Sequence, residues 1–346
     1  MAKPQPVNLD DAYQAFDDGN YEDALRLSEA ALKKAPKDRD AALLHAACVD
    51  AMGDPEGALA EYEDLTRRYP HDAEVWVRMG DVCVAALNDP EMAYEALTQA
   101  LEAATTEGHE DEEMLLEAHL RLVDVCLDLR ELDEALRHAK AAKQMDKDNS
   151  DVELALGRAE FERGNMDEAL KAAARAVDKD PQNAGAYFLR GLVLERQGNP
   201  DAEKAFERSE RLDPEFFSRG VTVTAEELRA VAQSALEELP SRVRDYMRKL
   251  QINVEDLPSD VDVRSSGGTL SPSALGAMRG TPLSEESDAD PFTHMPRDFT
   301  LYRLNLMRVC RSRKELQDEV AMTMVDEVGH FLHLTEDDLV DSGDED

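Results

Sequence analysis

Small apolar residues recur along the front of the chain with a period of about 34 residues. Gly19-Asn20-Tyr21 is followed by Ala24, Ala31 and Pro36, and Gly53-Asp54-Pro55 by Ala58, Tyr62 and Pro70. Gly164-Asn165-Met166 is followed by Ala169, Ala173, Ala176 and Pro181. Gly198-Asn199-Pro200 precedes Ala205 and the close of its unit at Asp213-Pro214. Two middle units are less regular. One holds Trp76, Gly80, Pro90 and Ala93; the other holds Leu132, Ala135, Ala139 and Ala142 and has lost its glycine. The spacing predicts pairs of antiparallel helices. Glycine supplies the bend without a Cβ penalty, alanine lets the helices approach, and proline stops the second helix. No pair can bury its apolar face alone, so neighbours must stack.

Beyond Phe216 the pattern changes. Residues 217–223 read as a linker. Thr224 and Glu227 then have the spacing of a capping box, and Leu228, Val231, Ala232, Ala235, Leu236 and Leu239 form the apolar stripe of a helix stopped by Pro240. A short helix over 241–250 follows. Ile252 and Val254 alternate with polar neighbours and predict a strand that turns at Glu255-Asp256-Leu257-Pro258. Residues 262–298 are rich in Ser, Gly, Pro and Asp and read as mostly loop, mobile over 284–291. Phe299 to Leu304 reads as a second strand. Ser312 and Glu315 suggest another capping box, opening the last helix. Leu316, Val320, Met324, Val328 and Leu332 recur every fourth residue and should face the core; Thr323, Asp326, Glu327 and His330 fall on a different side.

Composition narrows the function classes. At 346 residues the chain is long enough for two domains. Aromatic residues make up 5% and hydrophobic residues 42%, which suits a helical array built on Ala and Leu. The formal net charge of −37 disfavours nucleic acid and anionic membrane surfaces and favours basic partners, or it simply solvates the surface. No apolar run approaches the length of a membrane span. Met1 to Pro6 is not followed by an apolar stretch, so no export signal is expected. The cysteines at 48, 83, 126 and 310 form no Cys-x-x-Cys pair, and the first three fall at similar points in successive first helices. Small packed thiols in a reducing cytoplasm fit better than disulfides.

The repeating pattern over residues 1–216, in about six units, resembles the tetratricopeptide family. That resemblance implies a right-handed superhelix whose concave groove holds a protein or peptide segment. Family members that clamp acidic C-terminal peptides line the groove with lysine and arginine, so the acidity here argues for a basic partner. The plainer alternative is that the repeats brace the C-terminal domain or pack on another copy.

Asp326-Glu327-Val328-Gly329-His330 resembles the helical His-Glu-x-x-His signature of metallopeptidases with its first histidine replaced. Residues 224–341 are similar in order to the small zincin-like domain of the bacterial minimal-metallopeptidase family, and 342–346 form an acidic tail. The matching pieces are the Leu228–Leu239 helix, Val254 to Pro258, the Gly276/Gly280 loop, Leu301-Tyr302-Arg303, and Glu327 to Phe331. The fold class implied is an all-α tetratricopeptide superhelix followed by a small α+β zincin-like domain.

The resemblance implies Asp326 and His330 as metal ligands, Glu327 as the catalytic carboxylate, and Glu336, with Asp337 next, as the third ligand. The family has glycine where this chain has His333, which must either adopt the turn at some cost, extend the helix, or offer a substitute nitrogen. A set of His330, His333 and Glu336 is a further arrangement. The aspartate arm is shorter than a histidine and adds negative charge, which lowers Lewis acidity and moves preference toward harder ions. The implied cofactor is zinc at a weakened site, or none. Asp338, Asp341, Asp344, Glu345 and Asp346 read as a solvated tail and His294 as a surface residue. Two functional readings follow: a protein-interaction scaffold carrying a degenerate, inactive peptidase-like domain, or an active zinc-dependent metallopeptidase whose groove recruits protein substrates.

Overall fold

The computed structural model describes residues 9–105, 111–283 and 290–339, and at Glu336 and Asp337 it describes the backbone only. The acidic tail, Met1 to Pro6 and most of the 284–291 segment lie outside the described residues. The chain divides into two compact units, 1–159 and 160–346.

Among its described residues the first unit contains helices and their turns and no strand. Its helices are α1 (Leu9–Asp17), α2 (Tyr21–Lys34), α3 (Arg39–Ala51), α4 (Pro55–Arg68), α5 (Ala73–Ala85), α6 (Pro90–Ala104), α7 (Glu112–Asp128), α8 (Leu132–Met145) and the greater part of α9 (Ser150–Glu162). Asp54 and Asp89 cap α4 and α6 by accepting the N–H groups of Gly57 and Met92, and Pro55 and Pro90 stand in the first turn, where a missing N–H costs nothing. The repeated alanines do what their spacing requires: Ala24, Ala58, Ala93 and Ala135 are fully buried. Around them Tyr62, Leu65, Leu97 and Leu122 fill the layers between pairs. Cys48, Cys83 and Cys126 lie on α3, α5 and α7, buried and unpaired, and burial pushes each thiol up to about 11.

The turns show where two units departed from the pattern. Gly19 and Gly53 turn with φ of 75° and 86°, but the corresponding turns of the irregular units use Asn88 at 51° and Arg130 at 60°. The missing glycine did not change the turn; an L-residue adopted the left-handed conformation instead, at a steric cost.

The second unit begins with the end of α9 and continues through α10 (Met166–Lys179), α11 (Ala184–Arg196) and α12 (Asp201–Leu212). The C-terminal domain follows with α13 (Ala225–Glu238), α14 (Ser241–Met247), β1 (Ile252–Glu255), α15 (Asp260–Ser265), β2 (Gly276–Arg279), a 3₁₀ turn at Pro291–Thr293, β3 (Asp298–Tyr302), α16 (Arg303–Val309), α17 (Arg313–Leu332) and α18 (Glu336–Leu339). The sheet order is β1-β3-β2, with β1 parallel and β2 antiparallel to β3. One core joins α13, α14, β3 and α17 through Leu228, Tyr246, Phe299, Leu301, Leu316 and Val320.

Both capping residues act as expected, with one difference. Thr224 and Glu227 form a complete box on α13. Ser312 caps α17 by accepting the Glu315 N–H, but the Glu315 carboxylate takes the Arg311 N–H and so does not close the box. The 262–298 stretch is not wholly loop. It contains the end of α15 and all of β2, a four-residue strand with no alternation and no β-branched residue to announce it. Residues 216–223 are not slack either, since the Val221 N–H donates to the Cys310 carbonyl and Val223 is buried in the domain core. No helix among the described residues is long and apolar enough to cross a membrane.

Replacing Arg130 by glycine is expected to stabilise the protein by about 0.5–1 kcal/mol. The urea midpoint should rise; an unchanged or lower midpoint would contradict the cost assigned to this turn.

Candidate functional site

Helix α17 carries the candidate residues, and its rotation is set by its other face. Leu316, Val320, Met324, Val328 and Leu332 are all at most 1% exposed, so the stripe read from the sequence is the buried one. This turns Asp326, Glu327 and His330 toward the edge strand β2 and solvent. Thr323 begins that second face but is itself buried under β2. A Cβ at Gly276 would stand 2.7 Å from Thr323 Cγ2, so glycine is what lets β2 lie this close to the helix.

Glu327 is held rather than open. The Met278 N–H, on β2, donates to its Oε2 at 2.9 Å. Burial pushes the Glu327 carboxyl above the ordinary glutamate range; the Met278 N–H and His330 pull it back, and Asp326 adds a smaller push. Asp326 and His330 are exposed and one turn apart. Burial, helped by Asp326, also raises the Glu319 carboxyl. The acidic face of α17 therefore begins earlier than the five-residue motif suggests.

After the motif the chain doubles back. His333 adopts the left-handed conformation at φ 53°, ψ 48°, so it takes the turn that the family gives to glycine. Its N–H and that of Leu334 both reach the Gly329 carbonyl. A Cβ on Gly329 would lie 3.1 Å from the Leu334 carbonyl oxygen and 3.2 Å from Leu339 Cδ1, which explains glycine within the motif. Helix α18 then opens at Glu336. The side chains of Glu336 and Asp337 lie outside the described residues. Asp338 is engaged in capping the start of α18, accepting the Thr335 hydroxyl at 2.7 Å and its N–H at 3.0 Å. His294 stacks on Phe331 at 5.3 Å, and its Nε2 meets the Thr281 carbonyl at 2.7 Å, which anchors the loop beside the site. Among the described residues no three His, Cys, Asp or Glu side chains converge as a metal-ligand set.

A scan against protein families matches residues 247–344 to a zincin-like metallopeptidase model and residues 15–79 and 154–215 to tetratricopeptide-repeat models. The chain is a tetratricopeptide-repeat region followed by a zincin-like metallopeptidase domain. Among solved structures, PilW, titled a widely conserved type IV pilus biogenesis factor, superposes with a TM-score of 0.51 at 19% identity, over 62% of this chain and 95% of that one. The Pseudomonas aeruginosa pilF structure gives 0.50 at 19% identity, over 60% and 90%. Both likenesses are to the repeat fold. The chloroplastic protein SLOW GREEN 1 of Arabidopsis thaliana is 32% identical over 90 residues, 26% of this chain and 28% of that protein's length.

The tetratricopeptide region has a cleft of its own in the first unit, of about 780 Å³. Arg39, Asp72, Glu74, Arg78, Glu113 and Glu117 are among its lining residues. Arg39 is already engaged: it meets Asp72 at 2.7 and 2.8 Å, Glu74 at 2.6 Å and Asp40 at 2.8 Å. The lining holds five carboxylates against three arginines, and Arg39 engages two of those carboxylates, Asp72 and Glu74.

The Met278–Glu327 bond was not legible beforehand, because its donor is a backbone amide on a strand without a strand pattern. The nearest sequence signal is the Gly276/Gly280 spacing. A carboxyl whose folded pKa lies above its unfolded one binds its proton more tightly in the folded protein, so its contribution is complete below the ordinary value and is lost as pH rises through the raised one. Glu327→Gln keeps an acceptor for Met278 and removes the charge. It should raise the melting temperature by a few degrees at neutral pH and have little effect below about pH 4. Equal effects at both pH values would contradict the burial cost.

Proposed function

We propose that this protein is a protein-interaction scaffold whose zincin-like domain has lost zinc-dependent peptidase chemistry. The supporting observation is the state of the motif. A carboxylate replaces the first imidazole at position 326, and the carboxylate in the position of the general base, Glu327, is bonded to the Met278 N–H. In the proposed assignment Asp326 and His330, with Glu336, are the remnants of the ligand set. A zinc ion in an intact site of this kind would activate water. Here the donor chemistry does not fit that role: two carboxylates and one imidazole already neutralise the ion before Glu327 is counted.

The test is elemental analysis of protein purified without chelator, paired with a peptide-cleavage assay. The wild type should carry well under one zinc per chain and cleave nothing. Asp326→His should raise zinc occupancy. Stoichiometric zinc in the wild type, with cleavage abolished by Glu327→Gln, would overturn the reading and favour the peptidase whose repeats recruit substrate.

The partner proposed for the repeat cleft is a basic peptide or protein segment, supported by its excess of carboxylates and by the net charge of −37. A labelled Lys/Arg-rich peptide should bind, and its affinity should fall by about tenfold or more from low to high salt. Combining Glu113→Lys with Glu117→Lys should weaken it further. Equal binding of an acidic peptide of the same length would refute this partner class.

A further inference from the structure

The strongest unused feature of the second unit is a buried guanidinium. Arg196 is the last residue of α11, in the repeat region, yet its side chain is only 4% exposed and its guanidinium donates to the zincin-like domain. Nη2 donates to the Pro258 carbonyl at 2.6 Å and to Asp260 Oδ1 at 2.8 Å. Nε donates to the same Oδ1 at 3.0 Å, and Nη1 to the Pro272 carbonyl at 3.3 Å. One planar fork thus grips both ends of the 258–272 segment, which contains α15 and lies between β1 and β2. A buried arginine is costly unless its donors are satisfied, and these acceptors take four of its five N–H groups.

The segment does not end there. Asn305 on α16 donates to the carbonyls of Pro272 at 3.0 Å and Ala274 at 2.8 Å. Ser271 donates its hydroxyl to Glu162 at 2.7 Å, a second tie to the repeats. The Tyr302 N–H takes the Leu275 carbonyl at 2.8 Å, and the next residue, Gly276, opens β2. Two residues later the Met278 N–H holds Glu327. β2 is a short edge strand with little propensity of its own, so its place depends on how its entry is anchored.

We propose that Arg196 is a positioning residue for the candidate site: the last repeats hold the 258–275 segment in the conformation that places β2 and its Met278 N–H against Glu327. The zincin-like domain is then incomplete without the end of the repeat region. A boundary drawn near 216–224 cuts through the structure that shapes the site. This positioning is separate from whether zinc binds.

The test uses the full chain and hydrogen exchange resolved by peptide. Arg196→Ala should speed exchange of the backbone amides over 258–279, including Met278, by about tenfold or more. Exchange in α13 and in the buried half of α17 should stay close to wild type. Arg196→Lys keeps the charge but cannot span three acceptors, so it should give an intermediate increase over the same residues. It also serves as the folded variant if the alanine form fails to fold. Unchanged exchange over 258–279 in either folded variant would overturn the proposal. So would an increase spread evenly over the whole second unit, which is what lost stability without positioning produces.

Discussion

The apolar stripe of α17 is the constraint on which the C-terminal domain depends. A three-stranded sheet cannot bury one face by itself, and α17, with α13 and α14 beside it, supplies the cover. Because five residues spaced by four are driven into that core, the helix has one permitted rotation. That rotation then decides where the other face points. Asp326, Glu327 and His330 meet β2 and solvent because Leu316 to Leu332 cannot. The orientation of the Asp326 to His330 motif is in this sense a by-product of core packing.

Electrostatics separates what is retained from what is altered. The backbone after the motif turns back on the helix: His333 adopts the left-handed conformation, Gly329 admits the returning chain, and α18 begins at Glu336. The charge pattern is different. A carboxylate at 326 sits one residue from a partly buried carboxylate at 327 and also acts on Glu319. One backbone N–H from β2 offsets part of that burial cost. An edge strand normally offers such an N–H to another chain; here a side chain of the same domain takes it.

Local features were the readable ones. The alanine spacing, the Thr224–Glu227 box, the α17 stripe and the unpaired cysteines all follow from residues close in sequence, and each appears where the pattern puts it. The features that the sequence did not announce have separate causes. β2 has no propensity signal because its strand character comes from β3 and Glu327, both remote in sequence. The α15 helix is a single capped turn, too short for periodicity. Glu315 turned to Arg311 instead of completing its box, a choice between two nearby N–H groups that spacing does not resolve. The Arg130 turn shows the reverse case: repeat packing imposed a left-handed conformation on a residue that disfavours it.

From its order of residues alone this protein was committed to stacked helical pairs and to a terminal helix with one apolar and one acidic face, because helix periodicity and glycine or proline punctuation act over a few residues. Only the folded chain decided that Glu327 would be bound by a strand amide, that a histidine would accept the turn of a glycine, and that an arginine of the repeats would close a loop of the neighbouring domain. Those outcomes depend on which distant backbone groups meet, and on burial, which no short window of sequence contains.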